Sequence, residues 1–491
     1  MDKNLAGFYN HYLKPALVWK HFAEIVNIPR PSHSEEKIRQ YLVDFAVEHG
    51  IEHCVDEAGN VYMRKAATAG MEGRKGIVLQ AHVDMVPQKN NDKVFDFEND
   101  PIEAYIDGEW VTANGTTLGA DNGIGVAAIL AVMEDDTIEH GPIEGLFTAT
   151  EETGMDGAFG LKEGLLQGDI LLNLDSETEG ELYVGCAGGI DVNAEKDCTH
   201  DSFAAPAQGW KALKLSVTGC KGGHSGIQIV CQRANANKLL FRVLYAIEQA
   251  MSVEMGSVDG GGLRNAIPRE AVAVIMVEEA NVEQVYNIVA EFEKIFVAEY
   301  AGVEDSISVA VEECPAPEKV FYPYRLIGSI LACPDGVEKM SMAMEGLVQT
   351  STNMARVVGD SEKIKVQCLV RSSVRSEKEA LANATKVALE LSGFQVELSG
   401  SYDGWNPNME SPILKAMLAS YEALYGKKPA VTAIHAGLEC GIIGGKYPNL
   451  DMISFGPTIC YPHSPDEKVE IASVEKFYDF LLHTLKNAPE K

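Results

Sequence analysis

Hydrophobic positions near the start of the chain recur at helical spacing. Ile38, Tyr41, Leu42, Phe45 and Ala46 share one face, with Ser34 placed as an N-cap before Glu35, Glu36 and Lys37 and Gly50 as the stop. Three strand-like runs follow, each apolar until it ends in polar residues. The first runs from Gly76 through His82 to Asp84, the second from Ile143 to Ala149 and into Glu151 and Glu152, and the third from Ile170 to Leu174 and into Asp175. Between the first two lies a glycine-rich turn, Leu118-Gly-Ala-Asp121-Asn-Gly123-Ile-Gly125, that leads into a helix over Val126 to Met133. Apolar strands alternating with helices predict an α/β sheet buried on both faces. In such sheets the polar residues just past the strand ends line the functional crevice.

After about Gly188 the pattern changes. Leu213, Leu215 and Val217 alternate with Lys214 and Ser216, as in a strand with one wet face. A helix (Asn235 to Met251), a strand (Ala271 to Val277), a helix (Val282 to Tyr300) and a strand (Ser306 to Val311) are expected next. A similar order returns. It comprises a helix at Tyr324 to Leu331, strands at Leu347 to Val357 and Ile364 to Val374, a helix at Lys378 to Leu391 and a strand at Phe394 to Ser399. Two successive split β-α-β units fit this order, although no sequence repeat is visible. From about Tyr402 the α/β character resumes, with a strand at Asp451 to Phe455, a loop around His463 and a last helix from Val474 to Leu485. The expected plan is a discontinuous α/β domain, residues 1–187 and 402–491, interrupted by an inserted α+β domain, residues 188–401.

Composition narrows the function classes. The 491 residues carry 72 acidic and 41 basic side chains, a formal net charge of −31, whose field disfavours nucleic acid and anionic membrane as partners. No secretory leader is expected in Met1 to Asn10, and the most apolar helical stretch, Ile124 to Met133, is far short of the ~20 residues that span a bilayer. Ten scattered cysteines without a C-x-x-C pair read as buried free thiols in a reducing cytoplasm rather than as a disulfide framework.

The polar strand ends carry the candidate chemistry. His82 and Asp84, two apart on a strand and so roughly 7 Å apart along it, suit a metal-binding imidazole with an orienting carboxylate. Asp121 precedes a helix and reads equally as an N-cap. Adjacent acids such as Glu151 and Glu152 are ordinarily a solvated corner. Gathered with Asp175 at one sheet edge, however, these carboxylates repel one another unless a cation holds them.

The runs His82-Val-Asp84, Gly119-Ala-Asp121-Asn-Gly123, Glu151-Glu152-Thr-Gly154, Asn173-Leu-Asp175-Ser-Glu177 and His463-Ser-Pro resemble those of the M20 di-zinc metallopeptidases, in the branch of the aminoacyl-histidine dipeptidases. The resemblance covers essentially the full length, from Leu17-Val-Trp-Lys and Ile28-Pro-Arg-Pro-Ser to the final helix. It implies a zinc-peptidase-like α/β catalytic domain, a central mixed sheet flanked by helices, under an α+β lid. It also implies that Asp121 bridges two Zn2+ ions, with His82 and Asp175 completing one site and Glu152 and His463 the other. Co2+ or Mn2+ would be able to substitute. Two such ions against three carboxylates leave one positive charge, which a bridging hydroxide would neutralise. Glu151 would be the general base and Asp84 the partner of His82.

In the lid the resemblance implies that His224, in Gly222-Gly-His224-Ser-Gly226, stabilises the oxyanion, and that Asn265 contacts substrate. It implies further that Arg371 binds the substrate's C-terminal carboxylate through its guanidinium fork. Its segment His435-Ala-Gly437-Leu-Glu439 offers Gly437 for backbone contacts and Glu439 for the substrate's amino group. A lid of two units would complete the active site within one chain, with a homodimer through another surface left open, and its closure would exclude water and favour dipeptides.

The implied function is zinc-dependent hydrolysis, in the cytoplasm, of dipeptides with a free N-terminus, Xaa-His dipeptides such as carnosine included. The alternatives are another M20 activity, such as N-acyl amino acid deacylase or tripeptidase, and a peptide-binding protein on an inactive scaffold.

Overall fold

The computed structural model describes residues 13–206 and 208–491, and these form two compact units. The first comprises the chain up to Gly185 together with Pro407–Ala433 and Leu438–Lys491; the second comprises Cys186–Asn406 and Ile434–Gly437.

The first unit is built on an eight-stranded mixed sheet in the order Glu52–Val55, Val61–Lys65, Ile143–Thr148, Ile77–His82, Ile170–Asn173, Asp451–Ser454, Glu181–Cys186 and Ala430–Ile434. Its four central strands are parallel, in a register that sets His82 beside Thr148 and Gln80 beside Asn173. Every residue of Ile143–Thr148, Ile77–His82 and Ile170–Asn173 is buried, as expected of strands covered on both faces. The helix Ala120–Glu134 packs on Ile77–His82 and on the helix Ala16–Ile25, while Pro412–Tyr425 packs on Asp451–Ser454 and on the last helix, Ile471–Lys486. Because the central strands run parallel, their carboxyl ends emerge together at one edge. The residues that follow them, Asp84, Glu151, Glu152 and Asp175, are therefore neighbours.

The helix after Pro31 spans Glu36–Glu48, and Ser34 does not cap it. The residue at the N-cap is Glu35, whose carboxylate instead accepts hydrogen bonds from His33 N–H (3.0 Å) and the Thr150 hydroxyl (2.7 Å).

The second unit is an antiparallel sheet of eleven strands with the helices Ala236–Ala250, Val282–Glu299, Tyr324–Ala332 and Arg375–Glu390. Two β-α-β-β-α-β arrangements are present, but they are nested, not successive. One runs Trp210–Thr218, helix, Glu254–Gly261, Ala271–Glu278, helix, Ser308–Glu313. The other begins earlier, at the strand Gly188–Asp197, and resumes only with the helix Tyr324–Ala332 and the strands Val348–Asp360, Lys363–Ser372 and Gln395–Tyr402. The strands Glu254–Gly261 and Val348–Asp360 pair, joining both halves in one sheet over one apolar core.

No helix among the described residues is long and apolar enough to cross a membrane. None of the ten cysteines is in a disulfide; six are buried, but Cys54 and Cys231 are exposed.

Candidate metal centre and catalytic site

The chain departs from strand geometry immediately after His82, so Asp84 folds back instead of lying a strand step away. Its Oδ1 is 3.3 Å from His82 Nδ1, and its carboxylate accepts the N–H groups of Glu151 (2.9 Å) and Glu152 (3.2 Å) and the Ser32 hydroxyl (2.8 Å). Asp84 is fully buried, yet these donors and His82 outweigh burial and hold its pKa at about 2. One carboxylate thus fixes an imidazole and the turn that presents both glutamates. That turn passes through Thr150 at φ 54°, a left-handed conformation costly for a β-branched residue and held here by its bond to Glu35.

Asp121 sits just inside the helix Ala120–Glu134 with non-helical backbone, and it does not cap. Its two oxygens face two different imidazoles: Oδ1 is 3.1 Å from His82 Nε2, and Oδ2 is 3.2 Å from His463 Nε2. Asp175 Oδ1 approaches the same His82 nitrogen at 3.3 Å, and Glu152 Oε2 the same His463 nitrogen at 3.0 Å. Two donor triads result, His82–Asp121–Asp175 and Asp121–Glu152–His463, each with its ligand atoms within 4.8 Å of one another. Glu151 joins His82 and Glu152 in a third such group.

These residues fit divalent cations. Glu152 Oε1 is buried with no hydrogen-bond partner, and Asp175 Oδ1 has no well-directed one, an arrangement costly for carboxylates unless positive charge is supplied. Two imidazoles and three carboxylates suit zinc, and cobalt or manganese next to it. The same crowding shifts the titrations. Hydrogen bonds to Asp121 and Glu152 raise His463 to about 11, the surrounding carboxylates hold His82 well above its ordinary value despite burial, and burial raises Asp175 to about 6. Burial, reinforced by Asp175, Glu439 and Glu152, drives Glu151 well above the usual carboxylate range.

Two side chains that the sequence did not single out shape this centre. Arg30, 2% exposed, donates to the carbonyls of Val83 and Asp84 (both 2.8 Å) and of Gly119, tying the His82 strand end to the Asp121 turn. Glu467 accepts hydrogen bonds from the Asp121 turn itself. Neither has a local signal: an arginine between prolines and an acid in a loop are ordinary surface residues until the fold closes over them.

Glu439 differs from its expected role as a contact for the substrate's amino group. It is fully buried beneath the strand ends, where Oε2 accepts from Gln80 Nε2 (2.6 Å) and the Thr148 hydroxyl (2.7 Å). Those bonds brace the strands that deliver His82 and Glu151.

The remaining expected residues lie in the second unit. His224 pairs with Ala266 in a short two-stranded ladder, and its Nδ1 accepts the N–H groups of Gly226 (3.1 Å) and Ile227 (3.0 Å). Burial and the nearby Arg371 lower its pKa, so the ring is neutral with its proton on Nε2, a donor. Asn265 is exposed at the turn before that ladder. Among the described residues the Arg371 side chain, 6% exposed, meets the Tyr402 hydroxyl at 3.4 Å, and its Nε is buried without a partner. No carboxylate lies within 4 Å of its guanidinium among the described residues, since the nearby Asp191 pairs with Arg264 at 3.3 Å. Gly437 lies against Tyr402, whose hydroxyl would be 2.9 Å from any Cβ placed there.

The chain is similar to known proteins over nearly its full length. Residues 78–487 match the model of peptidase family M20/M25/M40. The chain belongs to that family. It is 45% identical over 482 residues to the cytosol non-specific dipeptidase of Escherichia coli (strain K12), covering 98% of this chain and 99% of that protein. The crystal structure of aminoacylhistidine dipeptidase from Vibrio alginolyticus superposes with a TM-score of 0.93 at 47% identity, covering 100% and 99% of the two chains. An aminopeptidase from Bacillus cereus shares the fold at 15% identity, with a TM-score of 0.58 over 97% of this chain and 99% of that one.

Proposed function

We propose that this M20 enzyme is a cytoplasmic dipeptidase that hydrolyses dipeptides with a free amino terminus, Xaa-His dipeptides such as carnosine included. The observation that carries the reading is Asp121 shared between two donor triads, with Glu151 beside them. The free cysteines suit a reducing compartment.

His82, Asp121 and Asp175 would hold one divalent cation, and Asp121, Glu152 and His463 a second, zinc by donor type. Bound there, the pair supplies Lewis acidity to the scissile carbonyl and to an attacking water. Glu151, its carboxylate raised well above the usual range by burial, takes the proton of that water and returns it to the leaving nitrogen. Asp84 keeps the proton of His82 on Nδ1, leaving Nε2 as ligand, and fixes the backbone of Glu151 and Glu152. We assign the Nε2–H of His224 to the developing oxyanion and the guanidinium of Arg371, which meets no carboxylate among the described residues, to the terminal carboxylate of the substrate. Asn265 and the main chain at Gly437 complete the substrate contacts in this reading, and Glu439 acts as a brace.

A product assay tests it, on zinc-loaded protein with a metal-stripped control. The panel holds a free Xaa-His dipeptide, carnosine, the N-acetylated dipeptide and the tripeptide longer by one residue. Cleavage of the free dipeptides, abolished by stripping, is expected, with at least about tenfold lower kcat/KM for the other two, the cost of one lost charged contact. Preference for the acetylated compound or the tripeptide would transfer the chain to a sister activity. Tight peptide binding without turnover would make it a binding protein.

A further inference from the structure

Glu467 follows His463 by four residues in the loop that carries it, and its side chain is 2% exposed. Both carboxylate oxygens are engaged. Oε2 accepts the N–H groups of Leu118 (2.8 Å) and Gly119 (3.0 Å), and Oε1 those of Ala120 (2.8 Å) and Asp121 (3.2 Å). Four successive backbone donors converge on one anion, so the main chain must curl around it. Gly119 provides the curl at φ 71°, where an added Cβ would sit 2.6 Å from Arg30 Nη2 and 2.9 Å from Met85 Sδ. Arg30 holds the other side of the same turn through the Gly119 carbonyl.

An ordinary helix cap would account for part of this arrangement. Two observations go further. Asp121, the last of the four donors, and Asn122 after it have non-helical backbone angles, so the carboxylate does not sit on a regular first turn. The loop also meets Asp121 twice, at its N–H through Glu467 and at its carboxylate through His463. That loop is pinned at its base by strand pairing, Ile459 with Val469 and Cys460 with Lys468, and on to Trp110–Ala113.

We propose that Glu467 is a positioning residue that locks the Asp121 turn and the His463 loop in one register, so that both metal sites are assembled as a unit. The inference rests on the two-metal reading above.

Glu467→Gln is nearly isosteric, but its amide nitrogen meets backbone donors where an acceptor is required. Glu467→Asp keeps the charge and falls one methylene short. Three measurements apply to each full-length variant and to the unaltered protein: amide hydrogen exchange at residues 118–121 in metal-stripped protein, zinc affinity by chelator competition, and kcat and KM at limiting and excess zinc. E467Q is expected to lose exchange protection at that turn and to bind zinc about 10–100-fold more weakly, the range for groups that orient metal ligands. Its kcat falls at limiting zinc and partly recovers in excess, with KM little changed, and E467D lies between.

A lower melting temperature with zinc affinity and kcat unchanged overturns the inference and leaves Glu467 a structural cap. If E467Q does not fold, E467D decides by the same criteria. If the unaltered protein binds no zinc tightly, the two-metal reading and the inference fall together. If it binds two ions and E467Q does as well, with equal affinity, only the inference falls.

Discussion

Glu151→Gln lowers kcat on a free dipeptide by about 10²–10⁴-fold, the usual contribution of a positioned general base, while the protein keeps the metal content of the unaltered enzyme. The structure separates these two consequences. The backbone of Glu151 is held by Asp84 Oδ1, a bond that glutamine retains, and neither triad that shares Asp121 includes its side chain. Glutamine has the shape of glutamate but cannot take a proton from water. Glu152→Gln is the contrast, because Glu152 Oε2 faces His463 and belongs to one triad, so metal and turnover should be lost together. Metal analysis after gel filtration, with steady-state kinetics on the same samples, checks both. Parallel loss of metal and activity in E151Q would assign Glu151 to the ligands instead.

Asp121→Asn has a broader effect. Each carboxylate oxygen faces a different imidazole, so one substitution damages both triads. An asparagine presents one acceptor and one donor, and its amide nitrogen turned toward either cation is repulsive. It also removes one of the three negative charges that would balance the two ions. Losing several kcal/mol of charge stabilisation in the transition state corresponds to about 10³-fold or more in rate. D121N should therefore retain neither ion after dialysis against a mild chelator, and millimolar zinc should not restore turnover. Retention of two ions with more than about a tenth of the activity, a loss of under 1.4 kcal/mol, would show that Asp121 does not bridge.

How much of this site was legible in the sequence follows from where each residue sits. His82, Glu151, Glu152 and Asp175 stand where an apolar run meets its first polar residues, and a buried parallel strand writes that boundary into the sequence. Asp121 is marked by the glycines around it, of which Gly119 takes the left-handed turn conformation while Gly123 and Gly125 leave no room for a Cβ. Glu467 and Arg30 leave no such trace, because their partners are backbone atoms of distant segments and the chain must fold before a carboxylate near the carboxyl end meets Leu118. Ser34 shows the opposite error: a local capping pattern was present, but Glu35 is drawn to Thr150 and the helix starts one residue later. The nesting in the second unit was hidden for a similar reason. Alternation identifies strands one at a time and says nothing of which strands pair, and Gly188–Asp197 pairs with Lys363–Ser372 across the whole inserted half.

The central claim is a pair of cations on a shared carboxylate, and zinc titration of metal-stripped protein tests it most directly, with ion binding, proton release and dipeptide turnover followed together. Two equivalents should bind, and turnover should return only as the second site fills. Protons should be released at pH 7, because His463, raised to about 11, and His82, raised well above its ordinary value, are protonated before the ions arrive. Full activity in the stripped protein, or saturation at a single equivalent with turnover complete, would contradict it.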